Sequence, residues 1–280
     1  LDSSAQYGYA EEKWFGAAIP ITGVAGDQQA ALVGQCCFDS GMSKVTLGTG
    51  CFIMTNTGSE KSLPKDGLLT TIAYRINGQI SYASEGSIFV AGQAVKWLRD
   101  QLGVIESVKD TEKAFVTTKG DAGGVTVVPA FTGLGAPHWD PEARGLISGL
   151  TLDTSVEQIV VATLQSIAFQ ISDLVRLMLK VGPVDQLRVD GGMAVNDPFC
   201  QFLADILGQN VNRPIDTETT ARGAALLAGL GSGVWMDLDE IRATWRAERV
   251  FTPDMEQSLR NSLVEEFALS VERAKLRPKN

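Results

Sequence analysis

The sequence is poor in the residues that most often advertise chemistry. It has one histidine, His138, and four cysteines, Cys36, Cys37, Cys51 and Cys200. None of the cysteines stands in a C-x-x-C spacing, neighbouring Cys36 and Cys37 cannot bridge each other without strain, and one histidine is too few for a Cys/His metal cage. Reduced thiols in a cytoplasmic protein are therefore expected. There is no H-E-x-x-H and no G-K-S/T phosphate loop, and His138 has no Ser/His/Asp arrangement around it. Cys51, beside Gly50, has no nearby histidine to activate it, which argues against a thiol nucleophile. No apolar run of roughly 18 residues or more occurs, so no membrane span is expected. Basic residues are in deficit, 24 against 33 acidic, for a net charge of −9. That disfavours a nucleic-acid partner, which needs a basic surface. A phosphate site would have to be local: backbone N–H groups with Mg²⁺, or a site completed by another domain. The chain opens LDSSAQ, without Met, a basic stretch or an apolar leader, so a processed product or a piece of a longer protein is expected.

What is present is a chain of 280 residues, 44% apolar and 20% charged, the balance of a folded globular protein. Residues 1–18 read as an irregular lead-in, 19–25 as a strand and 27–35 as a helix opening on Asp27, where an acid suits the positive end of the helix dipole. Strands are predicted at 44–47 and 52–56 across Gly48-Thr49-Gly50, and at 68–76 and 79–84 across Asn77-Gly78, a type I′ turn signal. This first part reads as an antiparallel meander. The pattern then alternates: a helix at 88–101, a buried strand at 125–131, and the loop PAFTGLGAPHWDPEARG. A long helix follows at 154–181, opened by a capping box from Thr154 to Glu157, with Val160, Leu164, Ile167, Ile171 and Leu174 at helical spacing. A strand at 187–190, a helix from Asp197, a strand at 211–214 and a small-residue helix at 221–230 complete a β-α-β-α run with parallel strands. From Asp239 a charged helical tail is expected, ending in a frayed RPKN. The whole fits one layered α/β domain, 1–280, with no linker or internal repeat.

Two stretches carry most of the candidate chemistry. In IPITGVAGDQQ, Asp27 is delivered where a strand meets a helix, the usual edge for ligand sites in open α/β sheets, although a mere helix cap explains it equally. Gln28 could hold a hydroxyl or simply be a first-turn residue. In LGTGCF, the turn around Thr49 could offer backbone N–H groups and a hydroxyl to a phosphate, or be an ordinary hairpin turn. Asp190-Gly191-Gly192 could let a flat ring lie on bare backbone, or be plain strand-to-helix geometry. Phe52, Trp139 and His138 are most simply packing residues.

Taken in order, GVAGDQQAALVGQ, LGTGCF, PAFTGLGAPHWDP with Arg144-Gly145, and RVDGGMAVN closely resemble the C-terminal half of the FGGY carbohydrate kinases, the glycerol kinases among them. The resemblance runs over 21–253. It implies one of two actin-like, ribonuclease H-like lobes, with the active site in the cleft between them. The N-terminal lobe, with its glycine–threonine phosphate loop and half of its glycerol contacts, has no counterpart in this sequence. By matched position the resemblance implies Asp27 as general base, Gln28 as a residue holding glycerol hydroxyls and Phe52 as a ring on the carbon side of glycerol. It implies Thr49 at the β- and γ-phosphates, Gly92 along the nucleotide, and Gly192 and Asn196 at the adenine end. Lys96 stands where these kinases often have Gln, and would reach phosphate or ribose, or turn to solvent. The implied reaction is Mg·ATP plus glycerol to ADP plus glycerol 3-phosphate, with Mg²⁺ arriving on the nucleotide. The implied partners are glycerol, ATP or ADP and the missing lobe, and a homo-oligomer is compatible with the resemblance. Two other readings stand beside it: a sibling kinase for xylulose or gluconate, and a non-catalytic, actin-like nucleotide-binding lobe.

Overall fold

The computed structural model describes residues 1–61, 63 and 67–276. The expected RPKN tail lies outside them.

The chain begins with a hairpin. β1 (Ser4–Tyr9) pairs antiparallel with β2 (Pro20–Gly23), and the short α1 (Glu12–Phe15) lies between them. The lead-in is thus ordered, not irregular. It escapes a periodicity reading because neither strand buries a continuous face. α2 (Asp27–Gly34) follows, then β3 (Met42–Leu47), β4 (Cys51–Gly58), β5 (Leu69–Ile76) and β6 (Gln79–Ile88). The β5–β6 turn has positive φ at both Asn77 and Gly78, as a type I′ turn requires. α3 (Gly92–Asp100) and α4 (Lys109–Thr118) lead to β7 (Thr126–Val128) and β8 (Leu146–Ser148), a separate two-stranded ribbon. Next come α5 (Val156–Met178), β9 (Gln186–Asp190), α6 (Asp197–Leu207), β10 (Val211–Pro214) and α7 (Thr219–Gly231). α8 (Leu238–Arg242), β11 (Ala247–Phe251) and α9 (Gln257–Lys275) close the described chain.

Seven strands form the central sheet in the order β11-β10-β9-β3-β4-β6-β5. β10, β9 and β3 run parallel, and the rest of the sheet is antiparallel. The strand order departs from a simple meander: β4 pairs with β6, and β5 is pushed to the edge. Burial explains it. β6 is buried or half-buried over most of its length, as an inner strand must be, whereas β5 leaves Leu69, Ile72 and Arg75 exposed. The expected helical tail from Asp239 is also corrected, since β11 interrupts it and pairs with β10. The predicted strand at 125–131 is three residues long and lies outside the central sheet.

The sheet is covered on both faces. One face carries Val45, Leu47, Ile53 and Leu187 into a large core with α3, α5, α6 and α9. α5 is the centre of that core: Leu164, Ile167, Ile171 and Leu174 are wholly buried, each stabilising the fold by about 1.5–3 kcal/mol. α5 is long and apolar enough to cross a membrane, but its apolar residues are spent inside this core. Its capping box is shifted by one residue from the expected one. Ser155 accepts from the Gln158 N–H at 3.3 Å and the Gln158 side chain accepts from the Ser155 N–H at 2.9 Å, while Thr154 holds the preceding turn through Thr151. The other face carries Met42 and Met54 against Leu32, Val33, Leu226 and Leu227 of α2 and α7. Those two helices touch backbone to backbone. A Cβ on Gly223 would overlap the Ala30 carbonyl, and one on Gly34 would overlap the Thr219 carbonyl.

Candidate active site

The site begins with register. β3 and β9 are parallel, with Lys44 opposite Arg188 and Thr46 opposite Asp190, so both strands end at the same edge of the sheet. At that edge β3 runs into the Gly48-Thr49-Gly50 turn and β9 into Gly191-Gly192. β4 returns antiparallel, setting Phe52 opposite Thr46 and Met54 opposite Lys44, and β6 adds Glu85 opposite Met54. Lys44, Thr46, Phe52, Glu85 and Asp190 therefore share one face, the face covered by α2.

α2 brings the acid. Gly26, not Asp27, is the N-cap, and Asp27 is the first helical residue, with an exposed side chain. Its Oδ1 accepts from the Gln28 N–H at 2.8 Å, and its Oδ2 accepts from the Gln28 Nε2 at 3.3 Å. The Gln28 Oε1 accepts in turn from the ammonium of Lys44, which also donates to Thr46 Oγ1 at 2.9 Å. Just past α2, its C-cap Gln35 donates to Asp190 Oδ2 at 2.8 Å and accepts from Trp245 Nε1 at 3.0 Å. Arg188 stacks on Trp245 at 3.7 Å and donates to the Gln35 carbonyl. Phe52 is half-buried on the same sheet face.

The electrostatics of this layer follow from burial. Desolvation pushes the Lys44 ammonium below its usual range, opposed by Asp190, Cys51, Glu85 and Asp27. Burial pushes the Asp190 carboxyl up, with Lys44 and Gln35 opposing it, and raises Glu85 for the same reason. Burial also drives the Cys51 thiol up to about 12, so it is not a nucleophile near neutral pH.

The nucleotide candidates gather on the other side of the turn, around a cavity of about 250 Å³. Gly92 opens α3, and its N–H donates to the Gly48 carbonyl at 3.0 Å, while Ala91 and Gln93 donate to the Thr49 carbonyl at 3.0 Å. A Cβ on Gly92 would sit 2.6 Å from the Gly48 carbonyl oxygen, so only glycine lets α3 start this close to the turn. Gly191 has φ +85° and passes against Leu47, where a Cβ would lie 2.7 Å from the carbonyl oxygen. Gly192 has open space beside it and lines the cavity with Thr49, Gly92 and Lys96. Val95, Ile105 and Met193 give the cavity apolar walls, and Lys96 and Arg99 stand at its rim. Three larger depressions, of about 620, 580 and 430 Å³, lie under α9, on the far flank of α3 and beside Phe38 and Tyr74, and none includes Asp27 or Thr49.

The structure thus joins Asp27 to Gln28, and Thr49 to Gly92, Lys96 and Gly192. It does not bring the Asn196 side chain to the cavity. Asn196 is buried as the N-cap of α6, accepting from the Phe199 N–H at 2.9 Å and donating to Thr111 at 2.9 Å. Thr111 in turn bonds the carbonyl of Val108, a cavity wall, so Asn196 supports that wall from behind. Lys44 and Arg99 were missed by sequence reasoning. Arg99 was legible as the i+3 neighbour of Lys96 on one helix face. Lys44 gave no signal, since a lysine in a strand reads as solvent-facing. Among the described residues, no group of three or more His, Cys, Asp or Glu side chains is arranged to hold a metal ion.

Residues 43–232 match the family model for the C-terminal domain of the FGGY carbohydrate kinases. The chain belongs to that family. Among curated relatives, this FGGY domain is 52% identical over 276 residues to glycerol kinase 1 of Pseudomonas aeruginosa, covering 98% of this chain and 56% of that protein. It is also 52% identical over 276 residues to glycerol kinase 2 of Thermotoga maritima, covering 98% and 55%. The chain spans about half the length of the curated relatives it matches. Among solved structures, Plasmodium falciparum glycerol kinase with ADP superposes with a TM-score of 0.91 at 36% identity, covering 99% of this chain and 56% of that one. The xylulose kinase of Rhodospirillum rubrum shares the fold, with a TM-score of 0.81 at 22% identity over 98% of this chain and 56% of that one. The FGGY domain is therefore an α/β lobe of the actin-like ATPase type, as the sequence implied.

Proposed function

We propose that this domain is the C-terminal half of a two-lobed kinase that transfers the γ-phosphoryl group of Mg·ATP to glycerol, giving sn-glycerol 3-phosphate and ADP. The observation that carries the reading is the parallel pairing of β3 with β9. It sets the acid-bearing layer and the glycine-walled cavity at one sheet edge, on either side of a single turn. The relatives named glycerol kinase support the choice of acceptor.

In this reading a glycerol hydroxyl oxygen attacks the γ-phosphorus. The new P–O bond forms as the bond to the β–γ bridging oxygen breaks, the electron pair leaves with ADP, and the hydroxyl proton passes to Asp27. A carboxylate is far too weak a base to strip an alcohol of its proton in advance. Asp27 orients the hydroxyl and takes its proton late, and positioning does most of the work, as is general for phosphoryl transfer. Gln28 holds a second hydroxyl and Phe52 covers the carbon side. Thr49 and the rim cations Lys96 and Arg99 face the phosphates, and Gly192 leaves room for the adenine. Mg²⁺ would come bound to the phosphates of ATP and neutralise their charge. A second lobe closing over this edge would exclude water, which otherwise competes with glycerol as acceptor.

An acceptor panel on a two-lobed protein carrying this domain tests the reading. Glycerol is expected to rank first by kcat/KM, above xylulose and gluconate, and either sugar at the top overturns the choice of acceptor.

A further inference from the structure

Lys44 has no part in the mechanism above, yet it is wholly buried directly beneath Asp27 and Gln28. A buried ammonium is costly unless its donors are met and anions lie close. Here Gln28 and Thr46 accept from two of its three N–H groups, and Asp190, Glu85, Asp27 and the Cys51 and Cys37 thiols are titratable groups around it. The chemistry of the contact is directional. An ammonium can only donate and a carboxylate can only accept. With Lys44 below and Asp27 above, the Gln28 amide is satisfied in one orientation alone: oxygen toward Lys44, NH₂ toward Asp27. The reverse flip would set its oxygen against the Asp27 carboxylate and its NH₂ against the ammonium.

We propose that Lys44 is a positioning residue for phosphoryl transfer, fixing which end of the Gln28 amide faces Asp27. The inference rests on the reading of Asp27 as proton acceptor. The amide NH₂ then steadies one carboxylate oxygen and leaves the acid turned to the incoming hydroxyl. Without the ammonium the amide loses its anchor from below, with only Asp27 left to hold it, so it can shift or turn away and Asp27 loses the donor that aims it.

The experiment is a double-mutant cycle in the two-lobed protein, using whichever acceptor the panel ranks first. Lys44→Met should lower kcat by about 10²-fold, as misplacement at a reacting centre does, with the KM for ATP little changed. In a Gln28→Ala background the same change should cost far less, because the amide it orients is gone. Two full, independent losses, or a Lys44→Met enzyme with wild-type kcat, overturn the proposal. A stability arm uses this chain and needs neither activity nor a folded Lys44→Met variant. Gln28→Met at a half-exposed first-turn position is otherwise mild, but it strips Lys44 of an acceptor, so the thermal midpoint should fall by about 3 °C or more. An unchanged midpoint overturns the contact itself. A wild type that phosphorylates no acceptor overturns the kinase reading, while the stability arm still decides whether Gln28 holds Lys44.

Discussion

On the acid side of the sheet edge, geometry is held by side chains: Lys44 to Gln28, Gln28 to Asp27, Gln35 to Asp190, Trp245 to Gln35. On the cavity side it is held by backbone, with the Gly48 and Thr49 carbonyls bound by the start of α3, and by the missing side chains of Gly92 and Gly191. The first arrangement fails when a chemical group changes. The second fails when a volume is added. Substitutions on the two sides should therefore differ in kind, acid-side changes acting through lost hydrogen bonds and proton transfer and cavity-side changes through added volume and nucleotide affinity.

The largest expected effect removes the comparison altogether. The chain has both flanks but spans about half the length of its relatives, so it should unfold cooperatively on heating yet show no glycerol-dependent ATP consumption. Turnover well above a blank would show that one lobe suffices. Next comes Asp27→Asn in the two-lobed protein, which keeps shape and hydrogen bonding but removes the base. kcat should fall by about 10²–10⁴-fold, roughly 3–5 kcal/mol of barrier, with glycerol and ATP affinity far less altered. Since Gly26 is the helix cap, a near-normal kcat would leave Asp27 no catalytic role.

On the cavity side, Gly191→Ala puts a Cβ against Leu47 at a left-handed φ, and should destabilise this chain by about 1–3 kcal/mol, read by urea or thermal unfolding. A neutral result would mean that the turn relaxes and the close approach is not a constraint. The smallest effect is Gly192→Ala. Open space surrounds that position, so stability should hold while ADP binding weakens. In the wild-type chain ADP is expected to bind near millimolar, about −4 kcal/mol. Calorimetry showing equal ADP affinity in the variant would remove Gly192 from the nucleotide site.

Much of this was legible in the sequence, and the omissions have physical causes. Asp27 at the start of a helix, the Asn77-Gly78 turn, the β10 bounds and the apolar stripe of α5 all follow from local rules. β11 did not show, because as an edge strand it leaves Ala247, Glu248, Arg249 and Val250 exposed and buries Phe251 alone. The capping box slipped because Thr154…Glu157 and Ser155…Gln158 satisfy the same pattern, and only the approach of the chain decides between them. The strand order β3-β4-β6-β5 depends on which hairpin strand is better buried, a property of the assembled sheet. The sites divided likewise. Thr49, Gly92 and Gly192 reached one cavity because turns and glycines act locally. Asn196 follows the same glycine turn, but its side chain is committed to capping α6. The role proposed for Lys44 depends on α2 covering it, and nothing in the strand announces that cover.

The contact of α2 with α7 through Gly34 and Gly223 has a further consequence for motion. Where helices meet through long side chains, rotamer changes let one helix roll or slide on its neighbour. Here carbonyls and glycine backbones meet with no such cushion. α2 and α7 must therefore travel as one rigid unit, and Asp27 inherits that rigidity. If the domain swings against another lobe during turnover, the acid moves with the whole helix pair, and the hinge sets where that pair arrives.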